Sequence, residues 1–70
     1  MAEVRAEMVA NVWKVVAAEG DYIKDGDTLV ILESMKMEIP VLAENSGTLA
    51  KLHVAEGDVI QEGDLIAVID

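Results

Sequence analysis

The two halves of this 70-residue sequence are copies of one pattern, and this duplication limits the folds that the chain can adopt. A shift of 37 positions aligns residues 18–33 (AEGDYIKDGDTLVILE) with residues 55–70 (AEGDVIQEGDLIAVID), and seven of the sixteen pairs are identical. Upstream, Val12 matches Leu49 and Val15 matches Leu52. Two copies are too few for a solenoid, which needs at least three repeats to bury a continuous face. The duplication therefore predicts a closed pair within one domain over residues 1–70, whose halves, about 8–33 and 45–70, cover each other's apolar sides.

Each half has the pattern of short β-strands. Runs of β-branched and aliphatic residues alternate with Gly-Asp turn signals, a spacing typical of a β-sandwich or barrel. We therefore predict an all-β fold. The predicted strands are Arg5–Val9, Asn11–Val16, Tyr22–Ile23, Leu29–Ser34, Met37–Val41, Thr48–Val54, Val59–Ile60 and Leu65–Ile69.

A parity change in each half and a proline in the fifth predicted strand add detail to this prediction. Leu49 stands three residues before Leu52, and Val12 stands three before Val15, so the inward-facing parity changes at the same point of each half. A β-bulge in each half is the simplest cause, and it would help a small sheet to curl. Pro40 cannot donate a ladder hydrogen bond, which predicts that its strand lies at a sheet edge.

Composition excludes several classes of function. Seventy residues can bury a core but not an enclosed active site, and without cysteine the stability must come from apolar packing. The N-terminus lacks a signal pattern and no apolar run is long enough to cross a bilayer, so we expect a cytoplasmic protein that does not associate with membranes. A net charge of -9 repels phosphate backbones and argues against a nucleic-acid partner. We expect the isolated chain to be a monomer.

The hairpin tip between the two copies is the candidate functional site. Met35-Lys36 is the only short break between two apolar runs, whereas a two-residue connection favours Asn-Gly, Asp-Gly or Gly-X. A connection made of residues that its local geometry disfavours marks a candidate functional site. Met35 and Met37 can hardly both be buried there, and exposed methionines suit contact with a partner. Lys14, Lys24 and Lys51 are interpreted as surface charges.

Other marked residues have structural interpretations. The aspartates of the Gly-Asp pairs match neither a P-loop nor the ligand spacing of an EF-hand, so we assign them to turns. His53 has no second imidazole or thiol with which to share a metal. Ser34 and Ser46 lack the neighbours that would activate a nucleophile. We therefore predict neither a metal site nor a catalytic one.

The tip and its surroundings resemble a known family. Glu33-Ser34-Met35-Lys36-Met37-Glu38 is similar to the biotin-attachment motif E-A-M-K-M, and the duplicated Gly-Asp turns resemble the biotinyl/lipoyl-attachment domain, in particular its small stand-alone bacterial members. The resemblance covers about Met8 to Ile69. It implies a flattened barrel-sandwich of two four-stranded antiparallel sheets with pseudo-two-fold symmetry. Ser34 replaces the usual alanine, and no thumb segment is inserted between Ile23 and Leu29.

The same resemblance implies a non-catalytic carrier. Lys36 would receive biotin through an amide bond made by a biotin protein ligase, with recognition by Glu33, Ser34, Met35, Met37 and Glu38. The attached biotin would carry carboxylate from a biotin carboxylase to a carboxyltransferase. Two alternatives stay open: a lipoyl carrier, which methionine on both sides of the lysine disfavours, and a biotin-bearing protein without a carboxylase partner.

Overall fold

Eight short β-strands form two four-stranded antiparallel sheets in the computed structural model, which describes all 70 residues. The strands are β1 (Ala2–Arg5), β2 (Ala10–Val15), β3 (Tyr22–Ile23), β4 (Thr28–Ser34), β5 (Met37–Leu42), β6 (Gly47–Leu52), β7 (Val59–Ile60) and β8 (Leu65–Ile69). One sheet has the order β1-β8-β6-β3 and the other β5-β4-β2-β7. The 37-residue shift converts one sheet into the other, so each sheet contains strands from both halves. The predicted two-sheet architecture is confirmed.

Seven of the eight predicted strands lie within two residues of their observed bounds, but the prediction of the first strand was wrong. The predicted strand was Arg5–Val9, whereas β1 covers Ala2–Arg5 and pairs with β8 from Ala2↔Ile69 onward. After Arg5 the chain leaves the sheet, and Ala6 exchanges backbone hydrogen bonds with the Gly63-Asp64 turn instead. Its N–H donates to the Asp64 carbonyl and its carbonyl accepts from Gly63 N–H, both at 2.8 Å.

The predicted irregularities lie where the parity argument placed them. The register of β2 with β4 shifts between Val12 and Lys14, and that of β6 with β8 shifts between Leu49 and Lys51. Pro40 lies in β5, which is an edge strand. Its missing N–H therefore interrupts no internal ladder.

The Gly-Asp turns join the two halves reciprocally. Gly20 N–H donates to the Leu49 carbonyl, and its counterpart Gly57 donates to the Val12 carbonyl, both at 2.8 Å. In each turn an aspartate Oδ2 accepts from the backbone N–H three residues before it, at 2.8–3.0 Å. The turn glycines have φ between 90° and 94°, which favours glycine. These bonds give the aspartates the structural role expected of them; they are Asp21, Asp27, Asp58 and Asp64.

The core repeats the same symmetry. Fifteen buried residues form one apolar cluster between the sheets, and no buried polar side-chain atom lacks a partner. The most deeply buried side chains include the equivalent pairs Val12 with Leu49 and Leu29 with Ile66. The structure contains no helix of the length and apolarity that a membrane crossing needs.

Candidate functional site

The β4–β5 hairpin holds the candidate site at its tip. Its ladder runs from Thr28↔Leu42 to Ser34↔Met37, which leaves Met35 and Lys36 as the two connecting residues. Their φ angles are 53° and 64°, and they are the only non-glycine residues of the chain with positive φ. A left-handed backbone costs an L-residue about 1–2 kcal/mol. The long ladder beneath the tip imposes this conformation on residues that would not choose it.

The side chains of the tip project into solvent. Met35 is 92% exposed and Met37 is 64% exposed, so neither contributes to the core. Lys36 is exposed as well, and the one ion pair of the structure joins Arg5 to Glu3 instead. Ser34 is half-buried at the end of β4. The Lys36 side chain is therefore accessible from solvent.

Two carboxylates stand at the base of the tip. Glu33 and Glu38 are directly opposite each other across the β4–β5 ladder, and both are exposed. Like charges in this position destabilise a hairpin, typically by a few tenths of a kcal/mol up to about 1 kcal/mol. The hairpin thus combines a strained backbone with charge repulsion around its lysine, and neither feature helps the fold.

A groove beside the lysine adds residues that the sequence analysis did not single out. It has a volume of about 340 Å³. Asn11 pairs with Glu33 on one side and with Val59 on the other, so the three residues form a row across β4, β2 and β7. The groove is lined by Val9, Ala10, Asn11, Glu33, Ser34, Met35, Lys36 and Val59. Residues from opposite ends of the chain meet here, and no local motif indicates it.

The remaining candidates form no further site. His53 is exposed, and only its backbone N–H is engaged, by the Ile66 carbonyl at 2.8 Å. No three histidine, aspartate or glutamate side chains are grouped as metal ligands would be. A larger depression of about 780 Å³ lies between the edge strands β1 and β5 and does not include Met35 or Lys36.

The fold is thus a pseudo-symmetric pair of sheets that presents an exposed lysine on a strained hairpin tip. The biotin/lipoyl family profile, described as "Biotin-requiring enzyme", matches residues 2–69, and the chain belongs to this family. It is a carrier domain rather than a catalytic one, as the resemblance implied.

Small curated proteins support this assignment. The chain is 67% identical over 49 residues to "Biotinylated protein TB7.3 homolog" of Mycobacterium leprae, covering 70% of this chain and 69% of that one. It is 52% identical over 44 residues to "Biotin/lipoyl attachment protein" of Bacillus subtilis, covering 63% and 60%. The match to the "Biotinylated protein TB7.3 homolog" of Mycolicibacterium smegmatis spans 58% of that relative's length.

Solved structures share the fold over the whole chain. The Kluyveromyces lactis urea carboxylase superposes with a TM-score of 0.92 at 40% identity, covering 99% of this chain and 6% of that one. The lipoyl domain of the 2-oxoglutarate dehydrogenase complex from Azotobacter vinelandii superposes with a TM-score of 0.84 at 24% identity, covering 100% and 96%. The second likeness concerns the fold alone.

Proposed function

We propose that this protein is a biotin carrier whose Lys36 holds biotin as an amide. The observation that carries the proposal is the tip itself: an exposed lysine without an ion pair, in a left-handed conformation that folding alone would assign to Asn-Gly. The biotinylated relatives from Mycobacterium leprae and Mycolicibacterium smegmatis support biotin as the cofactor.

The attachment step needs a partner enzyme. A lysine side chain is protonated at neutral pH and must lose a proton before its nitrogen can attack. A biotin protein ligase would provide the base and an acyl-adenylate. Lys36 Nζ then forms the C–N bond as the C–O bond to AMP breaks, and the nitrogen releases its proton. The chain's own residues present the nitrogen, and Met35 and Met37 offer apolar surface beside it.

The carrier role extends to carboxyl transfer. When bound, biotin accepts and releases carboxylate on its ureido ring, while the protein supplies position. A tethered group has a high effective concentration at each site that it can reach. The likeness to a urea carboxylase and to the "Biotin-dependent acyl-coenzyme A carboxylase alpha3 subunit" of Mycobacterium leprae supports partnership with a biotin carboxylase and a carboxyltransferase.

Mass measurement and one variant test the proposal. The chain coproduced with biotin ligase should gain one biotinyl group, and peptide mapping should place it on Lys36. Lys36→Arg keeps the charge but offers a guanidinium that does not accept the acyl group. We expect an unchanged melting temperature, no added mass and no carboxylation of an acceptor in a reconstituted carboxylase. A lipoyl group on Lys36 would contradict biotin, and biotin on Lys14, Lys24 or Lys51 would contradict the site.

Full turnover with Lys36→Arg would contradict the carrier role. Lys51→Arg, an exposed lysine in β6, is the matched control and should behave like the wild type. If the chain is biotinylated on Lys36 but transfers carboxylate with no combination of biotin carboxylase and carboxyltransferase, the result would favour the alternative of a biotin-bearing protein without a carboxylase partner.

A further inference from the structure

The duplication provides an internal control for the surface around Lys36. Positions related by 37 residues occupy equivalent places in the fold, so the fold alone should treat them alike. Val9, beside the lysine, corresponds to Ser46 at the opposite end of the molecule, and Met8 corresponds to Asn45. The end without the lysine is polar at both positions, whereas the lysine end is apolar at both.

Local structure would prefer the polar residue at position 9. Ser46 Oγ accepts a hydrogen bond from Asp25 N–H at 3.1 Å. Val9 has no side-chain oxygen to accept a hydrogen bond from the N–H of Glu62, the counterpart of Asp25. Its side chain is also 62% exposed, so it gains little from burial. Neither the turn nor the core therefore accounts for valine at this position.

The groove that contains Val9 combines apolar walls with unused polar groups. Val9 and Val59, the latter 68% exposed, form its apolar part. The Asn11 amide takes part in none of the side-chain hydrogen bonds of the structure, and neither does the Glu33 carboxylate. An amide offers a donor and an acceptor, and a carboxylate accepts two or more hydrogen bonds.

These groups are complementary to the head of biotin. Its ureido edge has two N–H donors and one carbonyl acceptor, which match Glu33 and Asn11, and its thioether ring is apolar, which matches Val9 and Val59. Lys36 itself lines the groove. Glu33, which begins the row with Asn11 and Val59, pairs with Glu38, two residues from Lys36 along the chain, or about 7 Å at the usual rise of a β-strand. An extended biotinyl-lysine side chain is longer than this separation.

We propose that the groove between β2, β7 and the hairpin tip is a resting site for the biotinyl head carried by Lys36. This inference rests on the proposed attachment of biotin to Lys36. Val9 and Val59 would contact the ring, while Asn11 and Glu33 would bind the ureido edge. Release from this open groove would leave the arm free to enter a partner's active site.

Nuclear magnetic resonance of the biotinylated chain tests the resting site. Isotope-labelled protein carrying unlabelled biotin should show nuclear Overhauser contacts from the ring protons to the Val9 and Val59 methyl groups. Biotinylation should also shift the amide signals of Val9, Asn11 and Val59, but not those of their counterparts Ser46, Thr48 and Tyr22. An intact mass with one biotinyl group is recorded first; a chain without it would contradict the proposed function rather than the resting site.

Val9→Ser is the decisive variant, since it installs the residue that the other half uses. Its fold and melting temperature should be retained or improved, while the ring contacts fall roughly fourfold or more, the factor that follows from losing about one buried methylene. Val16→Ser removes a valine of similar exposure that directly follows the far end of β2, and it should leave the contacts unchanged. Shifts confined to residues 34–38, with no ring contact to Val9 or Val59, would overturn the inference. Slower ligation of Val9→Ser without such contacts would make the groove a docking face for the ligase instead.

Discussion

Among the single residues of this chain, those at and beside the hairpin tip are unfavourable for stability. Met35 and Lys36 take positive φ angles without being glycine, and neither gains burial in return. Glu33 and Glu38 add like charges below them. Natural proteins keep such unfavourable local choices where function needs them.

The double replacement Met35→Asn with Lys36→Gly should therefore stabilise the protein. Asn-Gly is the preferred pair for a two-residue hairpin, so we expect the free energy of unfolding to rise by about 1 kcal/mol. Urea denaturation followed by Trp13 fluorescence measures this change, and biotinylation should be lost. Lys36→Arg is the control because it keeps the strained tip. A less stable double variant would show that the tip is not strained as its φ angles indicate.

The flanking methionines should matter for recognition more than for folding. Met35→Ala and Met37→Ala remove exposed side chains, so each should cost less than about 1 kcal/mol, whereas a buried methionine typically costs about 2–5 kcal/mol. Initial rates of biotinylation by the ligase should fall in both. Leu42→Ala, at the other end of β5, is a control of similar kind that should be ligated at the normal rate. Losses of several kcal/mol from both methionine variants would contradict the assignment.

At the level of strands and turns, two glutamate side chains accept backbone hydrogen bonds beyond the ends of short strands. β7 pairs with β2 only at Ala10 and Asn11, so Val15 N–H lies beyond its end. The Glu56 carboxylate accepts from Val15 N–H at 3.1 Å, and its counterpart Glu19 accepts from Leu52 N–H at 2.9 Å. Each half thus completes a strand of the other.

Removing such a glutamate should loosen the sheet locally. We expect Glu56→Ala to lower the free energy of unfolding by about 1 kcal/mol, the usual net value of one hydrogen bond. Glu19→Ala should have the same effect by symmetry. Thermal and urea unfolding measure both variants, and Glu62→Ala, which removes an exposed carboxylate without a hydrogen bond, should be neutral. A Glu56→Ala protein as stable as Glu62→Ala would show that these contacts contribute nothing.

At the scale of the whole molecule, the halves cannot be separated. Each sheet takes strands from both halves, the turn glycines donate across the boundary, and a single apolar cluster fills the centre. Such an arrangement has no partly folded form in which one half keeps its core.

Val15→Ala and Leu52→Ala, equivalent positions packed against the core, should therefore weaken the entire domain. Each should cost about 1–3 kcal/mol, the lower part of the range for truncating larger buried side chains, because both residues are only partly buried. Far-UV circular dichroism and Trp13 fluorescence should report one coincident transition in each variant. Two separable steps would contradict the interlocked sheets.

Local sequence patterns were sufficient to predict most of the strands, the bulges and the hairpin tip. Strand and turn patterns are local, and the duplication shows each of them twice. The parity change at Val12 recurs at Leu49, and the two positions carry equivalent bulges. The unusual Met35-Lys36 connection is likewise visible without any long-range contact. The edge position of Pro40 followed from its missing N–H alone.

Which distant residues contact each other depends on the three-dimensional arrangement of the strands. The first strand was misplaced because its position depends on pairing with β8, sixty or more residues away in the sequence. The row of Glu33, Asn11 and Val59 follows from the order of β4, β2 and β7 in one sheet. Strand order depends on how the two halves bury their apolar faces against each other. Because this packing involves the whole chain, it cannot be predicted from the local sequence pattern of either half.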